Sequence, residues 1–474
     1  MQKYEHAFGK NDIRGIYSDD ITEELFYNIG KGYVIWLSNA KHKSSSELKI
    51  SVCMDARLHS PSLKSALIQG LLNGGVNDIE DYGLAPTPIG YYSEVAHDLD
   101  GAMIITASHN PKEYNGLKMT CNRQTLNEAQ IKEVKGITFD NWTELPNITT
   151  NADYSKEIIS EYIEDMVERF GEIGEGVKVV VDSANATGGI VGPELYRKLG
   201  CEVIELFSEP DGTFPNHHPN PSQLSTLKTL SETVVNSNAD FGIAYDGDSD
   251  RIGIVDSKGN PLTGDKLLLI YALDIIESKP TVVSEVKCSQ VLFDTINALG
   301  GNAIMCKTGH GYIKEKMKET NAVLGGEMSG HTFFKDRYYG FDDAIYAGCR
   351  MIEIVSKNKK NNSNFKLESL LEPFNNVYTS NEVRFSCPNN LKKEVLENFK
   401  EEVRQNPKMF GSEIKEIVTL DGMRIVFEGG FALIRQSNTE PVFTLRFEAL
   451  TQDECERFKS VMISYLENLV KAKI

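Results

Sequence analysis

Ser108 follows the apolar run Gly101-Ala102-Met103-Ile104-Ile105 within Thr106-Ala107-Ser108-His109-Asn110-Pro111, where Asn-Pro forces a turn. The run reads as a buried strand, so Ser108 is expected in a surface loop at a strand-to-loop corner. In α/β sheets such corners, at the carboxyl ends of strands, are where ligands meet the protein. A Ser-His pair invites a hydrolase reading. Yet no G-x-S-x-G elbow surrounds it, and adjacent residues rarely face each other as nucleophile and base. The plain alternative is a Ser/Thr turn that closes a strand.

Asp246-Gly247-Asp248-Ser249-Asp250-Arg251 lies between two strand-like runs, Phe241 to Tyr245 and Ile252 to Val255. Carboxylates at alternate positions, loosened by Gly247, can converge their oxygens on one hard cation, and this suits Mg²⁺. Without a cation they repel one another, which weighs against a merely solvated acidic turn. A calcium EF-hand is excluded, because the twelfth loop position is Ser257 and the flanks are strands.

Two further loops carry chemistry. Gly325-Gly326-Glu327-Met328-Ser329-Gly330-His331 combines a carboxylate, a hydroxyl and an imidazole, the groups a polyhydroxy ligand needs for paired contacts and a titratable partner. Arg435-Gln436-Ser437-Asn438-Thr439 follows the strand Phe431 to Ile434 and offers a guanidinium with short donors in one loop. Such a set grips a phosphate dianion through charge-assisted hydrogen bonds. Either loop read alone is also compatible with a simple polar turn.

These loops need a scaffold of alternating strands and helices. Lys178 to Asp182, the helix Pro193 to Leu199 and Glu202 to Phe207 form one βαβ unit. A similar unit runs from Thr281 to Ser284 through the helix Val291 to Leu299 to Ala303 to Met305, which suggests related domains in successive thirds of the chain. The polar stretch Lys357 to Asn364 is expected as a surface loop near the boundary of the last domain. Beyond it, strands Met423 to Glu428, Ala432 to Ile434 and Val442 to Glu448, with helices Leu391 to Gln405 and Gln452 to Val470, predict an antiparallel α+β domain.

At 474 residues the chain is long enough for roughly three to four domains. A formal net charge of −18 weighs against nucleic acid and anionic membrane partners. The eight cysteines are dispersed with no zinc-ligand or C-x-x-C spacing. No signal pattern opens the chain and no apolar run approaches the ~18 residues of a membrane span, so a cytoplasmic location is expected.

Taken in order, these motifs resemble those of the α-D-phosphohexomutases, and within them the bacterial phosphomannomutase/phosphoglucomutase group. The resemblance runs almost end to end. It includes Asp12-Ile13-Arg14-Gly15, Pro215-Asn216-His217-His218-Pro219, Glu285-Val286-Lys287-Cys288, Lys307-Thr308-Gly309-His310 and Tyr339-Gly340-Phe341-Asp342-Asp343 beside the loops above. It implies three related mixed α/β domains plus a smaller α+β C-terminal domain around a central cleft. The expected boundaries are 1–152 with the phosphoserine loop, 153–259 with the metal-binding loop, 260–372 with the sugar-binding loop and 373–474 with the phosphate-binding loop.

The implied activity is phosphoryl transfer between the 1 and 6 positions of a hexose through phosphorylated Ser108 and a hexose 1,6-bisphosphate, which also serves as activator. Asp246, Asp248, Asp250 and a phosphoserine oxygen of Ser108 would hold Mg²⁺. Lys118 would be the general acid/base with Arg14 beside it, a role that needs a lowered lysine pKa. His331 would take part in proton transfer, Arg251 would neutralise phosphate oxygens, and Lys287 and His310 would line the site. Glu327 and Ser329 would bind sugar hydroxyls, and Arg435, Ser437, Asn438 and Thr439 the phosphate not being transferred. The cations Arg14, Lys118, Arg251, Lys287 and Arg435 are expected to converge. Partners are small phosphosugars, with no nucleic acid and no membrane, and the protein is expected to be a monomer or weak homodimer.

Asn11 stands where relatives often have Tyr, and Ser249 where many have Gly. Neither change removes a catalytic group. Met328 matches the mannose/glucose group, where the glucosamine enzymes usually have Gln. Mannose and glucose phosphates differ at one carbon, a contact worth ~1 to 3 kcal/mol, so their ranking stays open. The rival readings are a phosphoglucosamine mutase, a metal-dependent sugar phosphatase that loses phosphoserine to water, and a non-catalytic sugar-phosphate sensor.

Overall fold

The computed structural model describes residues 2–148, 157–437 and 440–472. Packing groups the chain into two compact units, one of residues 1–262, 329–332 and 341–367, the other of 263–328, 333–340 and 368–474.

Three sheets repeat one strand order. In the first, Lys49–Met54 runs parallel to both Asp78–Leu84 and Gly101–Ile105, and Gly101–Ile105 then pairs antiparallel with Tyr114–Cys121. In the second, Lys178–Asp182 lies parallel between Glu202–Leu206 and Phe241–Tyr245, and Phe241–Tyr245 turns back antiparallel into Ile252–Val255. In the third, Thr281–Glu285 lies parallel between Asn302–Cys306 and Leu324–Gly326, with Thr332–Phe334 next to the latter. In each sheet the connection from the third of these strands to the fourth is a chemistry-bearing loop: Ser108's, the aspartates', and that of Glu327 to His331. Relatedness of the three domains is therefore visible in topology, without a fixed sequence period.

Apolar strands fill these sheets because both faces are covered. Gly101–Ile105 and Phe241–Tyr245 are buried along their whole length, as a parallel-sheet interior requires. Pro193 sits in the first turn of the helix Gly192–Lys198, where its missing N–H costs nothing.

The C-terminal sheet is antiparallel, in the order Tyr378–Thr379, Val442–Ala449, Gly430–Gln436, Met423–Phe427, Glu416–Val418, with Val383–Ser386 also on Val442–Ala449. Phe399 of the helix Asn389–Gln405 and Phe458 of the helix Gln452–Lys471 share its core with Phe443 and Phe447.

Two expectations are corrected. Residues 357–361 are not loop but the last turns of the helix Ala344–Asn361. Asp343 caps that helix by accepting from the backbone N–H of Ile345 and Tyr346, and Lys359 Nζ pairs with Asp240 at 2.8 Å, so polar residues on the outer face continue it to Asn361. Arg435 does not lie in a loop. The strand continues to Gln436, with Arg435 opposite Thr444, because an antiparallel partner extends the ladder past the apolar run.

Candidate active site

The first unit gathers the serine and the aspartates. Thr106 Oγ1 accepts from Ser108 N–H at 2.8 Å, and Asn110 N–H donates to Ala107 at 2.9 Å, which folds the chain sharply after the buried strand. Ser108 takes a left-handed conformation, φ 50°, uncommon for a residue with a Cβ. It is 2 % exposed, so the surface serine expected from the sequence is a buried one. Its Oγ donates to Asp246 Oδ2 at 2.7 Å, with His109 Nδ1 3.2 Å away.

The aspartate loop is the turn of a tight hairpin in which Tyr245 faces Ile252. Asp246, Asp248 and Asp250 are buried, and ligand oxygens from the three lie within 4.8 Å of one another. Burial and the charges of Asp250 and Asp248 push the Asp246 carboxyl well above the usual carboxylate range. Burial also pulls on Asp250, but Lys118 and His331 outweigh it and the net shift is downward.

Lys118 stands on the neighbouring strand opposite Ile104, two residues before the serine loop begins. Its Nζ donates to Asp248 Oδ2 at 2.5 Å and also to Asp250 Oδ2. Burial lowers its pKa, yet these two carboxylates more than reverse the effect and the ammonium is favoured. The lowered lysine pKa that the acid/base role calls for is thus absent from this arrangement, because Lys118 is the counter-ion of two carboxylates.

The cluster fits a divalent cation. Asp248 Oδ1 and Asp250 Oδ1 are buried without a hydrogen-bond partner, and the surrounding donors, three carboxylates and the Ser108 hydroxyl, are all oxygens. Hard cations prefer such a set.

Arg14 and His331 flank the aspartates. Arg14 NH1 donates to Asn110 Oδ1 at 2.7 Å, and its NH2 pairs with Asp12. His331 forms an isolated bridge with Arg251, whose Nε donates to His331 Nε2 at 2.7 Å. The other ring nitrogen, Nδ1, therefore carries the hydrogen and points at Asp342 Oδ2, 3.1 Å away. Burial pushes the His331 pKa down to about 4, so the ring is neutral near pH 7. Ser329, in the same segment, accepts from Ser222 Oγ through its carbonyl at 3.1 Å.

The second unit carries the other loops. Glu327 Oε1 accepts from Gly309 N–H at 2.8 Å, and His310 opens the helix His310–Thr320 directly after. Thr308 N–H and Arg435 Nε both donate to Asp421 Oδ2, at 3.2 and 3.0 Å. Arg435, 8 % exposed, is thereby tied to the His310 loop. Lys287 Nζ lies 3.7 Å from Glu285 and 3.6 Å from Glu382; burial lowers its pKa, and these carboxylates raise it to a net increase. Glu285 also accepts from Met328 N–H at 2.8 Å, which links the Lys287 and Glu327 loops. Ser437 N–H donates to Val442 at 3.1 Å, while Asn438 and Thr439 lie outside the described residues.

Of the expected cations, Arg14, Lys118 and Arg251 gather about the aspartates in one unit, and Lys287 and Arg435 belong to the other. Sequence reasoning missed Thr87. Its Oγ1 donates to Asp248 Oδ2 at 2.6 Å and its N–H to the Asp248 carbonyl at 2.8 Å. The signal was Ala85-Pro86-Thr87-Pro88, a helix start whose free N–H groups must meet an acceptor. Asp342 was visible in its motif, but its role as partner of His331 was not.

Family comparisons agree along the chain. Residues 5–144, 160–259 and 263–373 match phosphoglucomutase/phosphomannomutase alpha/beta/alpha domains I, II and III, and 382–463 match the C-terminal domain of the same family. A phosphomannomutase/phosphoglucomutase of Pseudomonas syringae pv. tomato is 38% identical over 98% of this chain and 95% of its own length. A phosphoglucomutase of Neisseria meningitidis serogroup A is 36% identical over 97% and 96%. The crystal structure of a phosphoglucomutase/phosphomannomutase family protein from Burkholderia thailandensis superposes with a TM-score of 0.85 at 32% identity, covering 98% of this chain and 97% of that one. With a serine at the aspartate cluster and all four of the family's domains in order, the chain belongs to the phosphoglucomutase/phosphomannomutase family.

Proposed function

We propose that this protein is a phosphomannomutase/phosphoglucomutase, which moves a phosphoryl group reversibly between the 1 and 6 positions of a hexose. The observation that carries the reading is the 2.7 Å contact from Ser108 Oγ to Asp246: a hydroxyl able to carry phosphate lies against an all-oxygen cation cluster. Asp246, Asp248, Asp250 and an oxygen on Ser108 would hold Mg²⁺, which when bound supplies charge neutralisation for the transferring phosphoryl group.

The chain's own residues have the following parts in the proposal. Phosphorylated Ser108 donates its phosphoryl group to the free hydroxyl of a hexose monophosphate, giving a hexose 1,6-bisphosphate. The bisphosphate turns end for end, and its other phosphate returns to Ser108 Oγ. Arg251 and Arg14 offset the charge on the moving group. Lys118, kept as an ammonium by Asp248 and Asp250, gives its proton to the departing serine oxygen and regains one from the attacking sugar hydroxyl, and neutral His331, held through Nδ1–H by Asp342, assists. Glu327 and Ser329 recognise sugar hydroxyls, Lys287 and His310 line the sugar site, and Arg435, Ser437, Asn438 and Thr439 hold the idle phosphate. Domain boundaries at 152/153, 259/260 and 372/373, a monomer or weak homodimer, and a cytoplasmic setting complete the proposal. It is consistent with the last of these that, among the described residues, no helix is long and apolar enough to cross a membrane.

The test is a coupled assay with mannose-1-, glucose-1-, glucosamine-1- and N-acetylglucosamine-1-phosphates, with a hexose 1,6-bisphosphate as activator. Formation of the 6-phosphates of mannose or glucose supports the reading. Turnover confined to glucosamine-1-phosphate makes the protein a phosphoglucosamine mutase, net release of inorganic phosphate makes it a phosphatase, and binding without turnover makes it a sensor.

A further inference from the structure

Arg57 lies in the turn after the strand Lys49–Met54, and its side chain is 0 % exposed. Its Nε donates to Asp55 Oδ2 at 2.9 Å. NH1 donates to the carbonyls of Pro111, at 2.5 Å, and Tyr114, at 3.0 Å; NH2 donates to those of Ser108, at 2.9 Å, and Asn110, at 2.7 Å. A guanidinium has five N–H donors in a fixed plane, and here five acceptors meet it. Four are backbone carbonyls, three in the loop that carries Ser108 and the fourth on Tyr114, the first residue of the strand that follows it. Asp55 is itself held, with Oδ1 accepting from Ser60 Oγ at 2.7 Å and from Arg57 N–H at 3.1 Å.

Stability alone is a weak reason for this arrangement, since apolar residues of similar volume often replace buried charge networks without loss. What the fork supplies is geometry. The Ser108 carbonyl accepts from Arg57 NH2. Gly247 crowds the same oxygen, for a Cβ there would stand 2.4 Å from it. With that carbonyl set and φ held at 50°, Ser108 Oγ is aimed at Asp246. The second domain covers the clamp: the Phe214 ring centre is 5.4 Å from the Arg57 guanidinium carbon, and a Cβ on Gly212 would meet the Ala56 carbonyl at 2.3 Å.

We propose that Arg57 is a positioning residue for phosphoryl transfer, which fixes the backbone of the serine loop so that Ser108 Oγ is held at the aspartate cluster. The inference rests on the reading of Ser108 as the phosphoryl carrier. Arg57 acts on the reacting atom through backbone alone, so its loss slows transfer and leaves sugar-phosphate binding in place.

The test compares Arg57→Lys with wild type in steady-state kinetics and in rapid-quench transfer of phosphate from a hexose 1,6-bisphosphate to Ser108. A lysine has three donors for five acceptors and cannot reproduce the fork. The expected result is a kcat loss on the order of a hundredfold, the effect of misplacing a reacting atom by about 1 Å. KM should stay within about twofold and the transfer step should slow by the same factor as kcat. Gly247→Ala crowds the same carbonyl and should reproduce the selective kcat loss with Mg²⁺ affinity unchanged by titration calorimetry, a control needed because Gly247 lies in the aspartate loop; it also decides the matter if Arg57→Lys does not fold. Wild-type kcat in either folded variant, or a loss confined to KM, overturns the inference. A wild-type protein with neither mutase turnover nor phosphate on Ser108 overturns the functional reading and this inference together, whereas an active wild type beside an unimpaired Arg57→Lys overturns this inference alone.

Discussion

Lys118 Nζ lies 2.5 Å from Asp248 Oδ2 and also reaches Asp250, so the ammonium occupies oxygens that a cation would otherwise claim. Removing one partner of a buried ion pair costs about 3–5 kcal/mol, because the remaining charges are left uncompensated. Lys118→Met should therefore lower the melting temperature of metal-free protein sharply. Saturating Mg²⁺ should return most of the loss, giving the variant a larger Mg²⁺-induced thermal shift than wild type. Equal shifts in the two proteins would show that lysine and metal do not share those carboxylates.

Ser108→Ala should abolish most mutase turnover and remain folded, since it removes one oxygen without opening a large cavity. The structure adds a constraint that the sequence did not: Ser108 is buried and its Oγ donates to Asp246, so the variant leaves Asp246 Oδ2 without that donor. A change in thermal stability of about 1–2 kcal/mol is expected. Intact-mass measurement should find a phosphate on wild type and none on the variant; phosphate mapped to another residue would remove Ser108 from the mechanism.

Asp248→Asn should weaken metal binding by at least on the order of tenfold, since even partners outside the coordination sphere are worth that much. Asp248 also accepts from Thr87, so Thr87→Val should show a smaller loss of metal affinity in the same direction. Titration calorimetry with Mg²⁺ reads both. An Asp248→Asn protein fully active in chelator would sink the metal role.

Short contiguous motifs made much of this site legible in the sequence. Asp246, Asp248 and Asp250 converge because a hairpin turn brings alternate side chains together, a relation local to the loop. The strands behind them read clearly because both faces are buried and apolar. Arg57 and Thr87 were not legible as partners, because their contacts join residues far apart in the chain, as Thr87 to Asp248 does, and Asp342 was not because the strand Thr332–Phe334 and the turn after it decide whether it meets His331. The extension of strand Gly430–Gln436 through Arg435 was hidden for a related reason: the ladder to Val442–Ala449 decides it, whereas the local composition suggests a polar turn.

Glu94 gives a pH-dependent prediction away from the metal. It is buried; Oε2 accepts from Arg123 N–H at 3.0 Å and Oε1 has no hydrogen-bond partner. Burial pushes its pKa up to about 7, from an ordinary 4.5. A raised folded-state pKa means that the native state holds the proton more tightly than the unfolded chain. Its stabilising contribution is complete below pH 4.5 and is lost as pH rises through about 7. Glu94→Gln removes the charged form, so it should raise stability at pH 8 by up to about 3 kcal/mol and give no gain near pH 4. Denaturant unfolding at the two pH values measures this, and an equal effect at both would mean that the carboxyl is not titrating in the native protein.

Arg435→Ala should raise KM for both the 1- and 6-phosphates of the sugar, because the proposed idle-phosphate role applies in both orientations of the substrate. A charged contact of this kind is worth roughly 1.5–3 kcal/mol, which corresponds to a KM increase on the order of tenfold or more. Arg435 also shares Asp421 with the Thr308 backbone, so its loss frees the carboxylate beside the His310 loop. Arg435→Ala/Asp421→Asn separates the two effects: if phosphate contact dominates, the double variant keeps the high KM of the single one; if the uncompensated Asp421 dominates, KM returns toward wild type. A single variant that impairs only one direction of the reaction would place Arg435 on the transferring phosphate instead of the idle one.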